Sequence, residues 1–432
     1  MLFLLPSQQV IRPVLNSYHY LFISLSLLFQ LCYTSDTSIT HIPTILFYET
    51  DDFYRRLSTM PTLTIDVSAL KHNTHLIQKL AANAAVIAVL KNNGYGLGLV
   101  PFASFLQEEG ISHFAVTELC DALALRGCGI RGHILLLTPL YEFDELIDAI
   151  QNNIELCISG PASARAAQDA AIYMNCSAVP VQLCIDTGFG RFGFSVDNVK
   201  KIQDTLETMS CLKLCGIFSH LYASACKSSS AVRKQFSSFE RLCTTLTEHG
   251  VSLGMRHISS SSSLLRFPEM NLDGVRIGSA FLGRLAVRDA FGFQEVCCLR
   301  ALISEIRTLP MGHNVGYGNS FRLKHPTITA VTDAGYAHGL GMKHSHFPGN
   351  HVCPILYILR RLRKSLTIRA PFARYQNRKL PVLGQICMNS TILDATGCHL
   401  QVGDTVSFPV NPVYVDSRIK RNYLISQTEP TC

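Results

Sequence analysis

Charge is scarce in this chain. Asp, Glu, Lys and Arg make up 16% of its 432 residues, against 47% hydrophobic residues. That balance excludes a disordered polyelectrolyte and fits a globular protein long enough for two domains, each with its own core. Metal-binding cysteine spacing is also missing. Sixteen cysteines are scattered at irregular intervals, several inside apolar runs (Cys157, Cys184, Cys215), and no CxxC pair is matched by a second. No zinc site is expected; the contexts suit small buried hydrophobes in a reducing, cytoplasmic compartment. The net charge of +7 is modest, with its excess at 360–369 (RRLRKSLTIR) and around Arg374, Arg378 and Lys379. No aromatic-interleaved motif accompanies it, so a solvated basic loop is expected and no nucleic-acid partner.

A different absence marks the N-terminus. Between Pro13 and Ser35 there is no acidic or basic residue except histidine, and 20–33 (YLFISLSLLFQLCY) is strongly apolar. This is the texture of a signal-peptide core or short membrane anchor, which leaves export or membrane association open. The flanks suit neither, with Arg12 alone upstream and no clean small-x-small cleavage site. Residues 1–58 are therefore read as an extension outside the folded body.

What is present from residue 63 onward is regular. LTIDVS reads as a short strand, and 69–83 has helical spacing of Leu70, Leu76, Ile77 and Leu80. An apolar run, 85–90, then ends in Lys91, and AVLKNNGYGLG (88–98) continues as a Gly- and Asn-rich loop. Alone, Lys91 reads either as a solvated lysine after a strand or as an amine that a dry setting makes nucleophilic. Seven further strands are predicted at 113–119, 133–139, 155–159, 179–186, 212–221, 255–259 and 273–278. Helices are predicted between them, at 142–151, 162–173, 196–208 and 231–249 among others. Eight such repeats close naturally into an α/β barrel of the TIM type, with its active site at the strand C-termini. Lys91, Asp186, His220, the serines 259–263 and Arg276 all fall at or just after those strand ends.

After about residue 290 short alternating segments with Gly-containing turns predict an all-β domain, 291–432. Within it 344–380 has no clean period and reads as a basic, irregular insertion. The expected organisation is thus an extension (1–58), a barrel (59–290) and a β domain.

AVLKNNGYGLG, DTGFGRFGF, GIFSHL, LLRFPEMNLDGVRIGSAFLG, VGYGNSF, GYAHG and PVLGQICMN occur in this order over 88–389. Together they resemble the alanine racemase family, across roughly 62–340 and 380–424. The resemblance implies pyridoxal 5'-phosphate on a barrel, a C-terminal β domain and a homodimer sharing its sites. It implies interconversion of L- and D-alanine, supplying D-alanine for cell-wall peptidoglycan, with a serine or broader racemase as the alternative.

Carried over by motif, Lys91 resembles the lysine that holds the cofactor as an internal aldimine and then serves as one base. Tyr95, Ser261 and the backbone at Gly278 and Ser279 resemble the phosphate contacts. Arg276 resembles the arginine that donates to the pyridine nitrogen; a guanidinium keeps its proton, so the ring nitrogen stays unprotonated. Tyr317 resembles the opposite base, reaching in from the partner subunit and assisted by His220 and Arg191. Arg191 would also steer the substrate carboxylate, with the backbone near Met388.

The departures are specific. Cys184 stands where many members carry a carbamylated lysine, Asn389 where many carry an aspartate, and Ser260 where an asparagine is usual. Ser417 aligns with the position of a second phosphate tyrosine. Three rival readings differ in class. A non-catalytic cofactor carrier would need neither the β domain nor Tyr317. A related decarboxylase would need a cysteine-centred signature that this sequence lacks. A degenerate racemase would fold without activity.

Overall fold

The structure is a computed structural model that describes residues 60–342 and 371–425. The apolar run at 20–33 and the basic segment at 360–369 lie outside the described residues. The described residues all fall within one compact unit.

The first strand, β1 (Thr62–Asp66), leads into the helix Val67–Ala81, whose first turn is capped by Asp66 accepting from Ala69 N–H at 3.0 Å. Nine strands follow: β2 (Ala85–Val89), β3 (His113–Val116), β4 (His133–Leu136), β5 (Leu156–Ile158), β6 (Val179–Asp186), β7 (Phe194–Ser195), β8 (Leu212–Phe218), β9 (Met255–Ser260) and β10 (Gly274–Ile277). Their hydrogen-bonded order is β4-β3-β2-β10-β9-β8-β6-β5, all parallel, with β7 appended to β6. Between β4 and β5, Leu136 N–H donates to Glu155 O at 2.9 Å and Glu155 N–H to Ile134 O at 2.8 Å, which closes the ring. The eight expected strands are the eight of this barrel, most of them shorter than the apolar runs that predict them.

Alternation along each strand divides the barrel into two layers. Ile87, Val89, Ala115, Leu135, Cys157, Cys184 and Phe218 point into the lumen as one small cluster. Their neighbours Ala88, Leu90, Phe114, Val116, Ile134, Leu183 and Ile217 face the helices and join the main core. That core includes Phe102, Phe114, Phe239 and Phe281, all fully buried. Truncating one of these rings to alanine costs about 3–5 kcal/mol in a close-packed interior.

The second sheet is built from β11 (Cys297–Leu309), β12 (Thr327–Thr332), β13 (Phe372–Tyr375), β14 (Arg378–Pro381), β15 (Thr391–Asp394), β16 (Thr405–Pro409) and β17 (Arg421–Leu424), together with β1. Two sequence expectations are corrected here. LTIDVS is a strand, but β1 pairs with β11 and β17 and so belongs to this sheet, not to the barrel's stretch of chain. The part of 344–380 that is described is not irregular. Phe372–Pro381 forms a β13–β14 hairpin, with Gln376 in the left-handed region at φ 52°. Its basic residues pack on an aromatic ring, with Lys379 Nζ 4.7 Å and the Arg374 guanidinium 5.6 Å from the Phe372 centroid. No helix among the described residues is long and apolar enough to cross a membrane.

Candidate active site

The C-terminal ends of the barrel strands surround a cavity of about 300 Å³. Its lining brings together Lys91, Tyr95, Arg191, His220, Ser261, Arg276, Gly278 and Ser279 of the residues singled out in the sequence. Tyr317 and Met388 are not among the lining residues of the same copy. They stand on the second sheet's loops, 65% and 55% exposed.

Lys91 follows β2 by two residues, and the backbone then turns left-handed. Asn92, Asn93, Gly94 and Tyr95 have φ of 54°, 54°, 62° and 53°. Asn and Gly tolerate this region best, which accounts for the NNG sequence; Tyr95 occupies it under strain. The turn is held from outside. Asn93 Oδ1 accepts from Leu99 N–H at 2.8 Å, Arg421 Nε donates to Gly96 O at 3.1 Å, and the Tyr423 hydroxyl donates to Leu97 O at 3.0 Å. Gly96 has to be glycine, because a Cβ there would lie 1.9 Å from Pro412 O. Crowding by the cavity wall lowers the Lys91 pKa below its usual 10.5, and the positive charge of Arg191 lowers it further.

At the cavity's other end a set of donors converges. Ser261 Oγ accepts from Gly278 N–H and Ala280 N–H, both at 3.3 Å. The Tyr95 phenol packs directly over Gly278. Burial raises the Tyr95 pKa, so the phenol keeps its proton and remains a donor. These groups fit a phosphate: the hydroxyls of Tyr95 and Ser261, the backbone at Gly278 and Ser279 in the same wall, and a glycine whose missing side chain admits the tyrosine. Tyr95 is the one tyrosine in the lining, and neither Tyr414 nor Ser417 belongs to it. Ser417 instead accepts, through its carbonyl, from Arg421 Nη1 at 2.8 Å.

Arg276 on β10 lies between these ends, 6% exposed. Its Nη1 donates to His257 Nδ1 at 2.6 Å and to His257 O at 3.1 Å. Its Nη2 donates to Ser219 O and, at 3.4 Å, to His220 Nδ1. Burial brings the guanidinium pKa down to about 10, so it stays charged at neutral pH. A guanidinium only donates, so both histidines must accept at Nδ1 and carry their proton on Nε2. Burial, then Arg276, Arg191 and Lys91, bring the His220 pKa from 6.5 to about 3, leaving a neutral imidazole with a free N–H.

Arg191 comes from the loop after β6. Asp186 shapes that loop, its Oδ1 accepting from Gly188 N–H at 2.8 Å and Gly190 N–H at 3.1 Å. The Arg191 guanidinium stacks 4.7 Å from the Phe189 centroid, and Phe189 packs edge-on against His220 at 5.2 Å. Cys184 on the cavity wall is held toward its thiolate by a hydrogen bond from Cys157 and by the charges of Arg276 and Arg191.

Several residues of this site were not singled out in the sequence. Thr117, Thr138 and Ser219 line the cavity, and Phe189 and Phe192 carry Arg191. His257 is another, although a histidine at an inward-parity position of the strand predicted at 255–259 was a usable signal.

Comparison with known proteins identifies the family. The sequence model of the alanine racemase N-terminal domain matches residues 65–285, and that of the C-terminal domain matches 296–412. An alanine racemase of Clostridium tetani is 28% identical over 352 residues, covering 79% of this chain and 84% of that one. One of Desulforamulus reducens is 31% identical over 282 residues, covering 64% and 75%. Among solved structures, the alanine racemase of Streptomyces lavendulae superimposes with a TM-score of 0.73 at 24% identity, over 85% of this chain and 98% of that one. The chain belongs to the alanine racemase family and is an enzyme of the isomerase class.

Proposed function

We propose that this protein is a pyridoxal 5'-phosphate-dependent alanine racemase, acting as a homodimer in the cytoplasm and supplying D-alanine for peptidoglycan. The observation that carries the reading is the cavity itself, which gathers a lysine of lowered pKa, a donor-only arginine and a phosphate-sized set of donors around one space. Under this reading residues 59–290, apart from β1, and 291–432 work as the barrel and β domains of one catalytic body.

Lys91 would hold the cofactor's aldehyde carbon, and Tyr95, Ser261, Gly278 and Ser279 its phosphate. Arg276 would face the ring nitrogen, its Nε being engaged by none of the described residues. Pyridoxal phosphate supplies an electron-withdrawing ring that weakens the Cα–H bond of an amino acid bound to it. Lys91 would take or return that proton at Nζ on one face. Tyr317 of a second copy does the same at its hydroxyl on the other. The neutral His220 offers Nε2–H to that phenol, and Arg191 adds positive charge, both favouring its phenolate. Arg191 also binds the substrate carboxylate, with the partner's Met388 backbone beside it. Because Arg276 gives nothing but donors, it would offer the ring nitrogen a hydrogen bond and no proton, which would disfavour side reactions that need a stronger electron sink.

The test is D-alanine formation from L-alanine by the purified full chain loaded with the cofactor. Turnover is expected, with a loss of at least about 10³-fold in Lys91→Ala. No turnover by the unaltered protein, or full turnover by Lys91→Ala, would overturn the assignment.

A further inference from the structure

A file of hydrogen-bonded side chains runs around the barrel lumen from Arg276 to the end of the barrel remote from the cavity. His257 on β9 presents Nε2 to Gln182 Oε1 at 2.6 Å. Gln182 on β6 donates Nε2–H to Glu155 Oε2 at 2.6 Å, and His133 Nδ1 meets Glu155 Oε1 at 2.6 Å. Arg276, His257, Gln182 and His133 stand on β10, β9, β6 and β4, and Glu155 immediately precedes β5; β8, which lies between β9 and β6, has Gly216 at this level. A Cβ there would lie 2.8 Å from Gln182 Cδ and Oε1, so the glycine leaves the gap through which His257 reaches Gln182.

The polarity of this file has one solution. Arg276 can only donate and an ionised carboxylate can only accept, so the two ends fix everything between them. His257 accepts at Nδ1 and donates at Nε2; Gln182 accepts at Oε1 and donates at Nε2. His257, Gln182 and Glu155 are 0%, 5% and 5% exposed. Reversing one member would leave a buried polar group unpaired, at a cost of about 1–3 kcal/mol. Glu155 has a second tie to the site, since its backbone closes the barrel seam between β4 and β5.

We propose that Glu155 is a positioning residue for the reaction. Its carboxylate orients Gln182 and polarises His257, and so holds the Arg276 guanidinium with its Nε turned to the cavity. The role rests on the racemase reading only for its kinetic consequence; the ordering of His257 stands or falls separately.

The experiment is ¹⁵N NMR of the His257 ring in the full chain, both loaded with pyridoxal phosphate and freed of it, alongside racemase kinetics. The unaltered protein should show a single neutral form protonated at Nε2. In Glu155→Ala the His257 ring signals should move toward those of an unconstrained imidazole. The kcat should fall on the order of tenfold with the substrate KM unchanged. Glu155→Gln keeps the shape and loses the charge, and should give a smaller fall with a measurable His257 shift. It decides the matter alone if Glu155→Ala does not fold. Unchanged His257 signals in Glu155→Gln would overturn the proposal, as would shifted signals with unaltered kcat. A protein that shows the His257 shift but turns over no alanine would refute the function and leave the ordering of His257 intact.

Discussion

The Tyr95 phenol occupies the space in which a side chain on residue 278 would begin. A Cβ added to Gly278 would lie 2.4 Å from the ring's Cζ and 2.5 Å from its hydroxyl oxygen. In Gly278→Ala the ring has to swing away and take one phosphate donor with it. Overpacking of this kind costs about 1–3 kcal/mol. The dissociation constant for pyridoxal phosphate, read by fluorescence titration, should rise about tenfold or more, and an unchanged constant would remove Tyr95 from the phosphate site.

His220 gives the protein a pH-dependent stability whose sign is fixed. Its pKa is about 3 when folded and the ordinary 6.5 when unfolded. Between those values the unfolded chain binds a proton that the folded chain does not, so stability falls as pH drops through the window. His257, also shifted down by burial, acts in the same direction. One such group contributes at most about 1.4 kcal/mol per pH unit. Urea unfolding of the cofactor-free protein at pH 7 and pH 5 should therefore show a smaller difference for His220→Gln than for the parent. Equal differences would mean that His220 is charged or exposed in the fold.

The proposed sharing of sites between copies predicts complementation. Lys91→Ala and Tyr317→Phe damage opposite contributors to one site, so each homodimer should be deficient. Random re-association makes about half the dimers mixed, each with one intact and one doubly damaged site, returning about a quarter of parental activity. Mixed dimers isolated with two affinity tags and found inactive would place Tyr317 outside the partner's site.

The barrel was legible because its strands are short apolar runs, several of them ending in a residue able to do chemistry. Lys91, His220 and Arg276 were found that way. The sheet that β1 joins was not legible: alternation in LTIDVS sets which side chains are buried, but not that the partner strand begins at Cys297. The β13–β14 hairpin was hidden because RYQNRK is too polar for alternation to show, and its turn uses a left-handed Gln in place of Gly or Asn. The lumen file was missed for a related reason. Gln182 within VPVQLCID and His257 within MRHISS look like dilutions of a strand until their inward parity is noticed. Only the structure shows that Gly216 lets them meet.

The brace on the lysine turn has a consequence for how the enzyme is made. Arg421 and Tyr423 reach Gly96 and Leu97 across 325 and 326 residues of chain. During synthesis the turn that carries Lys91 emerges early and waits, unbraced, until β17 has left the ribosome and added itself beside β1. A chain interrupted before Arg421 would therefore carry Lys91 on a turn that lacks both of these long-range contacts.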